Sequence, residues 1–306
     1  MQFQELTRKI LELKRDRKAV ILAHNYQRPE VQDIADYVGD SVELSRRAMG
    51  EREAKIIVFS AVDFMAETAA LLNPGKKVVI PSPAARCPMA QMLPVEAVRY
   101  WKNRYPGVPV VLYVNTLAEA KAESDVSCTS ANAVQVVEAL SGDSVLFGPD
   151  HNLAEYVQRK TGKHVIPIPE RGFCPTHLLI VKDDVMLLRE ENPEALVMVH
   201  PECTPDVRET ADFVGSTSQM CRFARESKAE KFIVGTEVGL LHRLRKENPG
   251  KVFIPAYDAA ICPNMKRNTL ELIHRALALE EHVVSVPSDV AVRARRSLER
   301  MFEIIQ

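Results

Sequence analysis

Residues 231–236 read KFIVGT, a helical pattern follows over 237–248, residues 251–255 read KVFIP, and Cys262-Pro263 closes the run. A short β-branched apolar stretch bounded by turn residues reads as a buried strand, and its alternation with helices calls for a parallel sheet. The same order occurs twice more. Residues 55–60 (KIIVFS), 63–73 and 76–81 (KKVVIP) lead to Cys87-Pro88; residues 144–148 (SVLFG), 152–161 and 163–167 (KHVIP) lead to Cys174-Pro175. The Cys-Pro pairs are 87 and 88 residues apart, and a period of that size is the mark of a triplicated unit.

Working outward, each unit also has a matching first half. Residues 19–23 (AVILA), 110–114 (VVLYV) and 196–199 (LVMV) are short apolar runs of the kind found in buried parallel strands. Residues 35–41 (ADYVGDS) and 211–217 (ADFVGST) repeat one motif, with Cys128-Thr129-Ser130 in the diverged second copy. The fold class is therefore α/β: three homologous three-layer αβα units with parallel sheets, arranged with pseudo-threefold symmetry around a central active site. The units span residues 17–103, 104–192 and 193–281, with terminal helical segments at 1–16 and 282–306.

Ligands in open α/β sheets bind beyond the carboxyl ends of the strands, and that is where the chemistry-bearing residues fall. Each Cys-Pro stands where a helix starts, with helices expected over 88–105, 175–191 and 263–281. A helix N-terminus lowers a thiol's pKa and favours the thiolate that metals bind. Three thiolates on one axis make a metal site, and an odd number leaves one coordination position open. Cys87, Cys174 and Cys262 are the metal candidates. Cys128, Cys203 and Cys221 do not recur at the period and read as packing residues. His24 and His200 end the first strands of their units, with Val114 expected in that place in copy two. Glu202 is expected to align with Tyr26 and Thr116. Ser41, Ser130 and Thr217, with Ser216 beside the last, are hydroxyls at helix starts, where free N–H groups form an anion seat.

Bulk properties exclude several classes. The formal net charge is −1 over 306 residues, so no global field draws nucleic acid or a membrane surface. Arg293, Arg295 and Arg296 form the densest basic cluster and read as a solvated helix face. No apolar stretch has bilayer-spanning length, and the charged amphipathic start over residues 4–16 is unlike a signal peptide. A cytoplasmic protein with reduced cysteines is expected. Without a G-x-G-x-x-G or P-loop motif, the α/β pattern brings no nucleotide cofactor with it.

Five stretches carry a resemblance across essentially the whole chain: AHNYQRPEVQDIADYVGDS (23–41), YVNT (113–116), HPEC (200–203), GSTSQM (215–220) and CPNMKRNTLE (262–271). Together they resemble the quinolinate synthase family of NAD biosynthesis. The resemblance implies condensation of iminoaspartate with dihydroxyacetone phosphate to quinolinate, phosphate and two waters. It implies one 4Fe–4S cluster per chain, held by three cysteines with one iron left open as a Lewis acid for dehydration. It also implies an L-aspartate oxidase or aspartate dehydrogenase as the functional partner that supplies the imine. Some relatives carry a C-x-x-C pair at the third cysteine; here the run is Cys262-Pro263-Asn264-Met265, which excludes a local disulfide switch.

With that substrate, roles follow. His24, Ser41, Ser130, Ser216 and Thr217 are the expected carboxylate donors. His200, Glu202, Tyr26 and Tyr113 are the expected acid–base groups, and Tyr113 and Asn115 orient the three-carbon substrate. Two rivals stay open: another 4Fe–4S hydro-lyase acting on a different hydroxy acid, and a non-catalytic scaffold that binds zinc.

Overall fold

The computed structural model describes residues 2–305. Twelve strands form three separate four-stranded sheets. The first holds β1 (Ala19–His24), β2 (Tyr37–Gly39), β3 (Ile56–Ser60) and β4 (Lys77–Val79) in the order β2-β1-β3-β4. The second holds β5 (Val110–Tyr113), β6 (Val126–Cys128), β7 (Ser144–Gly148) and β8 (His164–Pro167) in the order β6-β5-β7-β8. The third repeats that order with β9 (Leu196–Val199), β10 (Phe213–Val214), β11 (Lys231–Gly235) and β12 (Val252–Pro255). Every pairing within them is parallel, and the central strands are buried along nearly their whole length, as their unbroken apolar runs require.

The short edge strands β2, β6 and β10 are not foreseen by apolar patterning, because two or three residues carry no period. A side chain sets them instead. Asp36, Asp125 and Asp212 each accept the backbone N–H of the residue fifteen positions earlier (Ile21, Val110 and Val197) at 2.7–2.8 Å. Each of these aspartates returns its own N–H to that residue's carbonyl at 2.8–2.9 Å. This reciprocal pair locks the edge strand beside the central one and fixes the register of all three sheets.

Register also corrects two expected equivalences. His24 pairs with Gly39 and Tyr113 with Cys128, while Met198 and Val199 pair with Phe213 and Val214. The residue matching His24 and His200 in copy two is thus Tyr113, not Val114. Two residues on, Asn115, not Thr116, matches Tyr26 and Glu202.

The expected long helices after each Cys-Pro are broken. Pro88–Gln91 is one turn, and Pro94 starts a separate helix, Val95–Arg104. After Cys174 a 3₁₀ turn, His177–Leu179, ends at extended Ile180 before the helix Lys182–Glu191. After Cys262 the 3₁₀ turn Met265–Arg267 yields at Asn268, and Thr269 caps the helix Leu270–Leu279. The break matters because the second helix packs on the next sheet. Val98 joins Val110, Leu112 and Leu146 of sheet two; Val185 joins Val197 and Ile233 of sheet three. Leu270, Ile273 and Leu277 join Ile21, Ile56 and Val58 of sheet one, with Ile10 of the helix Gln2–Asp16. The chain therefore interlocks head to tail, and its third unit closes on its first.

Beyond His282, whose φ is +59°, the chain runs alongside β4. Val284 N–H donates to Val78 O at 2.8 Å, covering the edge of β4. The helix Ser288–Ile304 then lies on β6, where Ser297 and Ser127 share a 2.9 Å hydroxyl contact. Its basic cluster is partly engaged: Arg293 meets Glu123 at 3.0 Å and Arg295 donates to Leu71 O at 2.6 Å. Among the described residues, no helix is long and apolar enough to cross a membrane.

Asp125→Ala leaves the Val110 amide without its side-chain acceptor. The expected loss is about 1–2 kcal/mol, seen by calorimetry as a melting temperature lower by a few degrees. An unchanged melting temperature would show that this pairing does not fix the edge strand.

Candidate active site

The strand ends of all three sheets face one cavity of about 70 Å³. Cys87, Cys174 and Cys262, 87 and 88 residues apart in sequence, all line it. So do His24, Tyr26, Ser41, Tyr113, Asn115, Ser130, His200, Glu202 and Thr217. Of the sequence-derived candidates, Ser216 alone is not among the lining residues. It is buried, accepts from Gln219 N–H as a helix cap and donates to Asp40 Oδ2 at 3.0 Å.

The cysteines owe their position to a second threefold device. The backbone N–H of Cys87 donates to Asp63 Oδ1 at 2.9 Å, that of Cys174 to Asp150 Oδ2 at 3.1 Å, and that of Cys262 to Glu237 Oε1 at 3.0 Å. Each acid lies 24 or 25 residues before its cysteine, where the helical segment after the unit's third strand begins. The expected lowering of the thiol pKa values is reversed. Burial pushes all three thiols up, and the nearby first-turn amides of Ala90, His177 and Met265 oppose it without prevailing.

The hydroxyl positions differ from the expected N-caps. Asp40 Oδ1 takes the N–H groups of Val42 and Glu43 at 3.0 Å each, so Asp40, not Ser41, caps the helix Ser41–Gly50. Thr217 likewise follows its cap, Ser216. The anion seats expected at Ser41 and Thr217 are already filled by protein oxygens, and the helix after Ser130 starts only beyond Asn132, without a side-chain cap. What remains for a ligand is the row of hydroxyls of Ser41, Ser130 and Thr217, which occupy matching positions two residues beyond Gly39, Cys128 and Gly215. Asn25 Nδ2 donates to Thr217 Oγ1 at 2.8 Å and orients it. Asn115 Oδ1 is buried without a hydrogen-bond partner, an acceptor available to a donor in the cavity.

The titratable groups are arranged around Glu202. Tyr113 Oη donates to its Oε1 at 2.6 Å, and His177 Nδ1 lies 2.8 Å from its Oε2, off the line of a good hydrogen bond. Burial alone would push the Glu202 carboxyl up. The facing His200 and His177 imidazoles and the Tyr113 hydroxyl hold it below the usual carboxylate range instead. Burial lowers His24 and His200 to about 3, outweighing the attraction of Glu202, so both are neutral at pH 7. Their Nδ1 atoms accept backbone N–H groups, from Tyr26 at 3.1 Å and Glu202 at 3.3 Å. That assigns the proton of each ring to Nε2. Burial, then the charge of Glu202, raises Tyr26 and Tyr113, which stay protonated as donors.

Sequence reasoning missed His177. Its ring stacks on His200 at 4.7 Å, and its Nε2 meets Thr236 Oγ1 at 2.9 Å, which in turn meets Tyr26 Oη at 2.6 Å. The period could not reveal it, since Ala90 and Met265 stand at the matching positions. The Cys174-x-x-His177 spacing was the available signal. Cys174, His177 and Glu202 bring one donor atom each to within 4.8 Å of one another, a group able to hold a metal ion. Cys128, Cys203 and Cys221 are buried and absent from the cavity lining, as their failure to recur implied.

Residues 8–303 match the family described as Quinolinate synthetase A protein. The chain is 55% identical over 300 residues to the quinolinate synthase of Methanothermobacter thermautotrophicus, covering 98% of each chain. It is 53% identical to that of Thermodesulfovibrio yellowstonii (97% of each chain) and 49% identical to that of Thermotoga maritima (97% of this chain, 98% of the relative).

Asp150→Ala leaves the amides of Leu153 and Cys174 without acceptors at a fully buried point. The expected destabilisation is about 2–4 kcal/mol, a lost cap plus an orphaned donor. Asp150→Asn keeps one acceptor and loses less. Denaturant midpoints measure both, and an alanine variant as stable as the parent would contradict the assignment.

Proposed function

The chain belongs to the quinolinate synthase family, and we propose that it condenses iminoaspartate with dihydroxyacetone phosphate, releasing quinolinate, phosphate and two waters. The observation that carries this reading is the convergence of three cysteines, one from each unit, on the cavity that also holds Glu202 and His200.

The donor set fits a 4Fe–4S cluster, one per chain. Three thiols share the cavity, one from each unit, each at the start of a helical turn, and no fourth cysteine lines it. Cys87, Cys174 and Cys262 would hold it, and its iron without a protein ligand supplies Lewis acidity that helps a hydroxyl leave as water. Six unpaired cysteines are in keeping with the reducing cytoplasm.

The chain's own residues account for binding and proton movement. A dicarboxylate substrate needs donors that carry no competing charge. The Nε2–H groups of His24 and His200 and the hydroxyls of Ser41, Ser130 and Thr217 meet that need. Asn115 Oδ1 accepts a hydroxyl of the triose. Condensation, imine formation and dehydration each move a proton, and Glu202 is the cavity carboxylate that faces Tyr113 and the imidazoles and is held below the usual range. Tyr113 Oη, hydrogen-bonded to Glu202 Oε1, is the group placed to exchange a proton with it, while the Thr236 hydroxyl links His177 Nε2 to Tyr26. Burial of these groups keeps water from hydrolysing the imine. An L-aspartate oxidase or aspartate dehydrogenase supplies that imine.

The Cys174, His177 and Glu202 group favours one alternative, a single divalent ion such as zinc. Oxygen-free purification separates the two. The proposal expects roughly four irons with matching sulfide per chain and a brown visible spectrum, whereas one zinc and no sulfide overturns it. Quinolinate formation from the two substrates then excludes another hydro-lyase. Cys87→Ser should lose both cluster and activity. Glu202→Gln should keep the cluster and lose about 10²–10⁴-fold in kcat; full activity in either variant rejects the role given to that residue.

A further inference from the structure

Three buried residues of different chemistry make the same hydrogen bonds in the three units. Gln32, Lys121 and Arg208 each lie eight residues beyond the strand-end residue of their unit, His24, Tyr113 and His200. Gln32 Nε2 donates to Asn25 O at 3.1 Å and Gln27 O at 3.0 Å. Lys121 Nζ donates to Val114 O at 2.8 Å and to Thr116 O. Arg208 Nη1 donates to Pro201 O at 2.8 Å and Cys203 O at 3.1 Å. In each unit the clamped carbonyls are those one and three positions beyond the strand end. The residue between them is Tyr26, Asn115 or Glu202, whose side chain lines the cavity.

Two clamps also hydrogen-bond to the neighbouring unit, at the segment whose acid holds a cysteine, and Lys121 Nζ stands 5.5 Å over the Phe64 ring of the third such segment. Gln32 Nε2 donates to Gly239 O at 2.9 Å, and Gly239 N–H donates to Glu237, the acceptor for Cys262. Only glycine fits there, since a Cβ would stand 2.9 Å from the carbonyl carbon of Tyr26. Arg208 Nη1 donates to Asn152 O at 2.6 Å, on the helix capped by Asp150, the acceptor for Cys174. On the helix that begins at Asp63, the acceptor for Cys87, Glu67 accepts the Ala118 N–H at 2.7 Å, beside Lys121.

We propose that Gln32, Lys121 and Arg208 are positioning residues for the reaction, clamping the backbone of each catalytic loop beside the neighbouring segment that orients a metal-ligand cysteine. The inference rests on the reading under Proposed function. An amide, an ammonium and a guanidinium share only the ability to donate to two carbonyls at once, so that donation is what the position supplies. Lys121 is completely buried, where a cation is costly unless its bonds are made, so a solvated lysine does not explain it. Displacing a catalytic group by an ångström costs about a hundredfold in rate, which makes backbone placement at these loops a direct lever on turnover.

The test compares Lys121→Met with Lys121→Gln, the latter carrying the amide that does this work at position 32. Both are purified without oxygen beside the parent and checked for iron, sulfide and thermal unfolding. Lys121→Met should keep its metal and its single unfolding transition while kcat falls about tenfold to a hundredfold. The KM values should move less than about threefold. Lys121→Gln should recover most of the lost kcat. An unchanged kcat in Lys121→Met, or a glutamine variant no better than methionine, overturns the proposal. Should Lys121→Met fail to fold, Gln32→Met, which removes no charge, is read by the same criteria. Amide hydrogen exchange supplies a readout independent of turnover: residues 115 and 116 should exchange about tenfold faster in Lys121→Met, with protection kept elsewhere. A parent protein that makes no quinolinate defeats the functional reading alone, and the exchange result then still decides whether the clamp exists.

Discussion

Three parallel sheets end their strands in one interior, and every N–H and C=O that arrives there must find a partner inside the protein. An unpaired buried amide or carbonyl costs about 1–3 kcal/mol, and a threefold fold presents each such group three times. The chain meets that demand with recurring side-chain bridges: Asp36, Asp125 and Asp212 at the strand registers, and Asp63, Asp150 and Glu237 at the cysteine amides. Because these bonds consume the backbone donors, the groups left over in the cavity are side chains. The polar chemistry of the site is therefore made of hydroxyls, imidazoles, phenols, an amide, three thiols and three carboxylates, of which Asp40 and Glu237 are engaged in capping and in holding Cys262.

The same burial sets the charge states. Desolvation keeps His24 and His200 neutral and the tyrosines protonated. Glu202 is the exception, because the Tyr113 hydroxyl that donates to it and the imidazoles facing it favour its anion. The thiols are raised because the first-turn amides alone do not offset their burial, so thiolates there would need a bound positive charge.

Most of the architecture was legible because it was written three times. The period of 87 and 88 residues, the β-branched runs and the Cys-Pro pairs foretold three αβα units around one centre, and the cavity gathers nine of the ten non-cysteine candidates. Errors arose where the copies diverge or where capping competes. Val114 and Thr116 were the wrong partners in copy two because only the aspartate hook at Asp125 reveals the register. The long helices after each cysteine were misread because the break falls at Pro94 in one copy but at extended residues in the other two. Ser41 gave way as a cap to Asp40, a carboxylate able to take two N–H groups at once.

Apolar periodicity and repetition act over short stretches, so the amino-acid order alone determined the strands, the helices and their threefold recurrence, and with them the choice of metal-candidate cysteines. Side-chain contacts across units obey no such local rule. That His177 stands against Glu202, that Ser216 turns from the cavity to Asp40, and that the helix after Cys262 closes on sheet one were decided in three dimensions. Burial, which only the packed chain creates, then decided which groups carry charge, overriding the helix-end effect expected for the thiols.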